Sequence, residues 1–148
     1  MKALSLTQPW ATLVAIGAKR IETRSWYTNY RGLLAIHAAS SFPWRVRLLC
    51  LEHPYIDVLI AGGISLRSLK EPLPGFPRGA IIAVVDLVDC LETGEGFVAP
   101  PEPEWSFGDF SPGRFAWILE NVCRLKKPLA CKGMLGLWES PQITPDMY

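Results

Sequence analysis

The sequence predicts an α+β fold: a small mixed β-barrel of about five to six strands, with a short N-terminal helix and one helical insertion. Three observations lead there. Residues 33–38 and 79–90 are apolar, β-rich runs led in by glycine, the pattern of buried strands. Helical spacing is confined to residues 8–17 and 43–61. Strands do not alternate regularly with helices, so the βαβ pattern of a doubly wound sheet is missing.

Taken in order, Ala3-Leu4-Ser5-Leu6 reads as a short strand. Thr7-Gln8-Pro9 then starts a helix, since Thr7 can cap and proline is tolerated where an N–H would be unpaired anyway. Trp10, Leu13, Val14 and Gly17 follow i, i+3, i+4, i+7 spacing, and Gly17 is the natural stop. Residues 20–27 form a strand of period two, with Glu22, Arg24 and Trp26 on one face and Ile21, Thr23 and Ser25 on the other. A turn at 28–30 leads to the strand 33–38, close enough for the two to pair as a hairpin. Helical patterns over 43–52 and 54–61 are broken at Pro54. Residues 64–78 are irregular. After strand 79–90 comes a long loop, 93–113, rich in proline, glycine and acids; a loop of that length is usually functional or mobile. Strand 114–122, a short extended piece at 128–130 and a glycine-punctuated strand at 132–138 complete the set.

The chain has 148 residues, enough for one domain with a real core; residues 1–140 are expected to form it, with 141–148 a loosely held tail. Hydrophobic residues make up 49% and charged residues 20%, which argues against disorder. No apolar run approaches the roughly 20 residues that cross a bilayer, and the N-terminus lacks the long apolar region of a secretory signal. A soluble, cytoplasmic protein with no membrane partner is expected. Cys50, Cys90, Cys123 and Cys131 show no CxxC pairing and there are only two histidines, so no metal site and no cofactor are expected. All four cysteines read as small buried apolar residues.

Charge is uneven. Residues 1–51 hold seven Lys/Arg against Glu22 alone, residues 114–132 hold five against Glu120, and residues 86–109 hold seven acids and no base. If the basic segments meet in space they form a face suited to a polyanion or phosphate-bearing ligand.

The densest polar chemistry lies in Gly17-Ala18-Lys19-Arg20-Ile21-Glu22-Thr23-Arg24-Ser25-Trp26. Lys19 suits a phosphate contact or, if desolvated, a base. Glu22 suits a structural pair with Arg24, an acid/base dyad with Lys19, or an acceptor for a base amino group. Arg24 suits a phosphate or Glu22. Trp26, at a strand end, is placed to stack on a base, whereas Trp10 reads first as core. Gln8 fits a helix cap or a base contact, and Ser25 offers a hydroxyl without a nearby histidine.

These pieces, with Leu4-Ser5-Leu6-Thr7-Gln8-Pro9-Trp10-Ala11, Tyr30-Arg31-Gly32-Leu33-Leu34-Ala35-Ile36-His37-Ala38, Pro77-Arg78-Gly79 and Gly133-Met134-Leu135-Gly136-Leu137-Trp138, resemble the ASCH domain family, a PUA-like branch. The resemblance covers about residues 3–138 and implies a barrel with a cleft beside the first helix, lined by Gly-x-Lys-x-x-Glu-x-Arg. It implies association with RNA and nucleotide chemistry. One bacterial branch hydrolyses N4-acylated cytidine with a lysine, a threonine and a glutamate; the lysine falls on Lys19, the threonine position holds Glu22, and the glutamate has no unambiguous match.

The first expectation is therefore a domain that binds RNA, a nucleotide or a modified nucleoside. Its binding set is Gln8, Trp10, Lys19, Glu22, Arg24, Ser25, Trp26, Arg31, His37 and Lys132. His37 and Lys132 enter through the family analogy. The alternatives are a small hydrolase, ribonuclease or N4-acylcytidine amidohydrolase-like, with Lys19 and Glu22 catalytic, and an adaptor that takes a protein partner through loop 93–113.

Overall fold

The computed structural model describes residues 1–148. Its sheet has six strands: β1 (Lys2–Leu6), β2 (Ile21–Arg24), β3 (Gly32–Ala38), β4 (Ala80–Glu92), β5 (Phe115–Ala130) and β6 (Leu137–Glu139). Their spatial order is β2-β5-β4-β3-β1-β6; β1 and β3 run parallel, and every other pair is antiparallel. The sheet curls into an open half-barrel. Helix α1 (Trp10–Ala15) packs against β1, β3, β4 and β5. Two further helices, α2 (Trp44–Leu49) and α3 (Tyr55–Ala61), form the insertion. No helix is long and apolar enough to cross a membrane.

Strand β3 explains the architecture. Its run is apolar at successive positions, so both faces need cover. Leu34, Ile36 and Ala38 join Leu4, Leu6, Val14 and Trp117 in the main core, while Ala35 packs with Ala3, Ile81 and Trp138 on the opposite face. A strand buried on both faces belongs inside a sheet, and β3 lies between β1 and β4. The hairpin expected between residues 20–27 and 33–38 therefore does not form. The half-polar β2 goes to the edge instead, pairing with β5 through Glu22↔Trp117 and Thr23↔Ala116.

Three boundaries also differ from the sequence reading. Residues 114–122 and 128–130 belong to one long strand, bent by register shifts against β4; Asn121 takes a positive φ of 50° within it. Pro128 is tolerated there because β2 covers only Phe115–Ile118, so the later part of β5 has a free edge. The closing strand shrinks to three residues, with 131–136 irregular. The tail is held: Ile143 and Tyr148 pack on the outer apolar cluster, and Lys126 donates to the Asp146 carbonyl at 2.7 Å.

Helix α1 ends where Gly17 takes a φ of 80°, as its sequence suggests. Its opposite side carries Leu13 into a second core with Phe42, Cys50, Leu59, Phe76 and Phe107. Burial pushes the Cys50 thiol up to about 11, that of an inert packing residue. Cys90 is buried too, Cys131 is half-buried, and Cys123 is exposed on β5, contrary to expectation. It follows the positive-φ residue Asn121 in a stretch of β5, residues 120–124, that is exposed throughout.

Candidate functional site

A cleft of about 400 Å³ opens where the end of β1, the start of α1, β2 and the 93–113 loop converge. Trp10, Glu22, Thr23, Arg24, Tyr55 and Asp109 are among its lining residues. Trp10 stands edge-on to Tyr55, with ring centroids 6.5 Å apart. It thus serves both as helix packing, the role its sequence suggests first, and as a cleft wall, the role its place in the expected binding set requires.

The cleft's charge is organised around Glu22. Lys19 follows the positive-φ turn at Gly17, which folds its side chain inward until none of it is exposed. Its ammonium donates to the Ile21 carbonyl and lies 3.3 Å from Glu22 Oε1. Arg24 Nε stands 3.7 Å from Glu22 Oε2, while its Nη2 donates to the Ser5 carbonyl at 2.9 Å. That last bond ties β2 to β1 across the open side of the curl. The Arg24 Nε is buried and has no hydrogen-bond partner in the protein. Glu22 is therefore a carboxylate gripped by two cations with 12% of its side chain facing the cleft. Lys19, for which the sequence suggested a phosphate contact or a base, lies beneath Glu22. It holds Glu22 rather than meeting solvent.

The sequence missed a second carboxylate. Glu104 sits in a 3-10 turn, Glu104–Phe107, inside the long loop. Its Oε1 accepts the Arg20 amide N–H at 2.5 Å, while its Oε2 is buried without a partner. Burial raises its pKa above the usual carboxylate range, against the pull of the Arg20 amide and the Lys19 charge. Nothing in a proline- and acid-rich loop marks one glutamate as the buried one. The loop is also fastened at Thr23 Oγ1, which accepts the Asp109 amide at 3.0 Å, and at Ser106, whose carbonyl accepts the Tyr55 hydroxyl at 2.9 Å. Burial pushes the Tyr55 phenol up, and the Ser111 hydroxyl and amide hold the Asp109 carboxyl down. The loop is thus a wall of the cleft. Strand alternation had set Thr23 on the face away from Glu22, yet both line the cleft.

The remaining expected residues separate from it. Trp26 lies past the end of β2 and packs edge-on against Trp117, 4.7 Å between centroids, so it does not line the cleft. Ser25 is exposed beside it. Gln8 is wholly buried, accepting the Thr12 amide at 3.0 Å and donating to the Pro77 carbonyl at 2.7 Å: it is a helix cap. Arg31 bonds the Thr28 and Tyr30 carbonyls and pairs with Asp89 at 3.6 Å. His37 is on the outer face of β3. Its Nε2 lies 2.9 Å from the Cys131 carbonyl, which can only accept, so Nε2 carries the proton. Its Nδ1 lies 3.1 Å from the Ser5 hydroxyl, which also reaches the Met134 carbonyl at 3.3 Å. Lys132 is exposed on the neighbouring irregular segment, outside the cleft.

A second cavity, of about 430 Å³, opens on the other side of Lys19, between the end of α1 and β5; Arg20, Asn121 and Val122 help line it. One buried ammonium thus stands between two openings.

The family model described as ASCH domain matches residues 4–129. Activating signal cointegrator 1 from Homo sapiens is 33% identical over 137 residues, covering 92% of this chain and 22% of that protein. The Mus musculus protein of the same name is 31% identical over the same span. The chain spans about a fifth of the length of these curated relatives.

Proposed function

The chain belongs to the ASCH domain family, and we propose that its cleft binds a base of RNA or of a modified nucleoside. One observation carries this reading: an ionisable carboxylate, Glu22, fixed between Lys19 and Arg24 beside the Trp10 and Tyr55 rings. A carboxylate in that setting accepts from an exocyclic amino group. Arg24 lines the cleft, but its Nε is buried and faces Glu22 Oε2, so it holds the carboxylate for that contact. Trp10 supplies the stacking surface that Trp26 does not. Lys19 acts by holding Glu22 in place, since a buried ammonium that already has partners has little reach to a phosphate.

The test is binding of short single-stranded RNA and of free ribonucleosides at low salt, followed by tryptophan fluorescence. Binding that is weakened by both Trp10→Ala and Glu22→Gln supports the proposal. No binding at low salt, or binding indifferent to both substitutions, sinks it.

A hydrolase is the second reading, favoured by Glu104. Two carboxylates of different environment around one lysine are what acid/base chemistry requires. Turnover of N4-acetylcytidine or of short RNA that disappears in both Glu22→Gln and Glu104→Gln supports it. Inertness toward both substrates leaves binding alone.

A further inference from the structure

Five of the nine arginines are held in ion pairs: Arg24, Arg31, Arg47, Arg78 and Arg114. Arg67 and Arg124 are exposed and are not in ion pairs, yet they come from segments 57 residues apart and line the same groove. That groove, of about 440 Å³, lies between the irregular 62–76 segment and β5, and Ser65 and Ser68 add hydroxyls to it. No acid lines it. Arg124 also lines an adjoining groove with Lys126, and two residues before it Val122 lines the cavity that holds Arg20. Two adjoining openings along β5 are thus edged by Arg67, Arg124 and Lys126, while the cavity of Arg20 also carries Glu120.

Two unpaired guanidiniums brought together at a concave surface repel one another. An arrangement without a neutralising acid suits an anion that supplies the missing charge, and the guanidinium fork matches phosphate. Helix α3 relates this groove to the cleft. Tyr55 at its start lines the cleft, and Gly62 and Gly63 just beyond its end line the groove. At about 1.5 Å per residue, Tyr55 and Gly62 are about 10 Å apart along the helix axis, a separation that a short single strand can span.

We infer that the Arg67–Arg124 groove is a second binding site, which takes a backbone phosphate of the nucleic acid whose base occupies the cleft. The inference rests on the nucleobase reading of the cleft for the identity of the strand, but its charge and geometry are independent of it. Sequence does not predict the site, because Arg67 lies in a segment without pattern and meets Arg124 only through the fold.

The experiment titrates unstructured single-stranded RNA and, separately, free ribonucleosides against four proteins: the unaltered chain, Arg67→Ala/Arg124→Ala, Arg67→Lys/Arg124→Lys and Trp10→Ala. Losing this phosphate contact should lower the salt slope of RNA binding by about 0.7 and the affinity about fourfold at roughly 0.15 M salt. The lysine pair should restore most of the slope. Nucleoside binding should not change in either arginine variant. RNA affinity and slope unchanged in the double alanine variant overturn the groove while leaving the cleft reading standing. RNA binding lost in the double alanine variant but untouched in Trp10→Ala keeps the groove as a phosphate site and overturns the cleft reading. RNA that fails to bind the unaltered chain at low salt overturns both.

Discussion

Lys19→Met is the sharpest perturbation of the site. Methionine keeps most of the apolar stem and removes only the ammonium, so the cost of a cavity is small. What remains is Glu22, almost buried, with Arg24 Nε at 3.7 Å as its one neighbouring cation, and an Ile21 carbonyl that has lost its donor. Removing one partner of a buried ion pair costs about 3–5 kcal/mol, because the survivor is left desolvated. Two features place this case at the lower end. Glu22 retains 12% exposure toward the cleft and can recruit water, and Arg24 already offsets part of its charge. The expected loss is about 3 kcal/mol. For a chain of this length that lowers the melting temperature by about 6–12 °C. Urea titration should show a lower midpoint with an unchanged m-value, the sign of an altered stability rather than an altered unfolded state. The partner variant Glu22→Gln and the double variant complete a thermodynamic cycle. Lys19→Met/Glu22→Gln should be more stable than the sum of the single losses predicts, by about 2 kcal/mol, within the range found for residues in contact. A loss below about 1 kcal/mol for Lys19→Met, with additive single variants, would refute the idea that this pair frames the site.

Three further outcomes follow from the same geometry. Trp10→Ala should weaken base binding by about 1–3 kcal/mol in a fluorescence titration, whereas Trp26→Ala should leave affinity unchanged and lower the urea midpoint, since it removes the ring packed on Trp117. Glu104 has a folded pKa raised above its unfolded value, so its contribution to stability is fullest below the unfolded pKa and is lost as pH rises through the folded pKa. Glu104→Gln, which keeps an acceptor for the Arg20 amide, should therefore be at least as stable as the unaltered chain at pH 7, with any advantage vanishing toward pH 4 in urea midpoints. Gly133→Ala should destabilise by about 1–3 kcal/mol in the same assay, because the added Cβ would stand 2.5 Å from His37 Cε1 and 2.7 Å from Ser5 Oγ.

The strands were legible wherever burial is continuous. Residues 33–36 and 80–85 are apolar at successive positions, a pattern that needs no knowledge of the partner strand, and the strands read from them, 33–38 and 79–90, appear as β3 and β4 with ends shifted by a residue or two. Pairing was not legible. Nearness in sequence favoured β2 beside β3, but the apolar cover that β3 requires on both edges and both faces outweighs the short connection, and β2 crosses to β5. The long β5 reads from sequence as two pieces, 114–122 and 128–130, and Pro128 is harmless within the single strand only because the edge beyond Ile118 has no partner. Whether a proline breaks a strand depends on that neighbour, which local sequence does not state.

The site shows the same division between residue and setting. Lys19, Glu22 and Arg24 were recognisable because so much charge in a strand of a small barrel lacks another purpose, and the fold brings the three together. Their roles depend on depth, and alternation along a strand carries no depth. The reversal at Gly17 turns Lys19 inward, so its charge acts on Glu22; the strand's end leaves Trp26 against Trp117, so its ring acts on the core. Trp10, half-buried at the start of α1, packs on Tyr55 and also lines the cleft together with residues 106–109 of the long loop. That loop also delivers Glu104, whose approach to Lys19 depends on contacts at Thr23 and Tyr55 that are made only in the folded chain. A motif can therefore name the carboxylate at the floor of such a cleft. The second carboxylate and the aromatic wall come from segments the motif does not contain, so the chemistry of the site is set as much by how the loop closes as by the three charged residues beneath it.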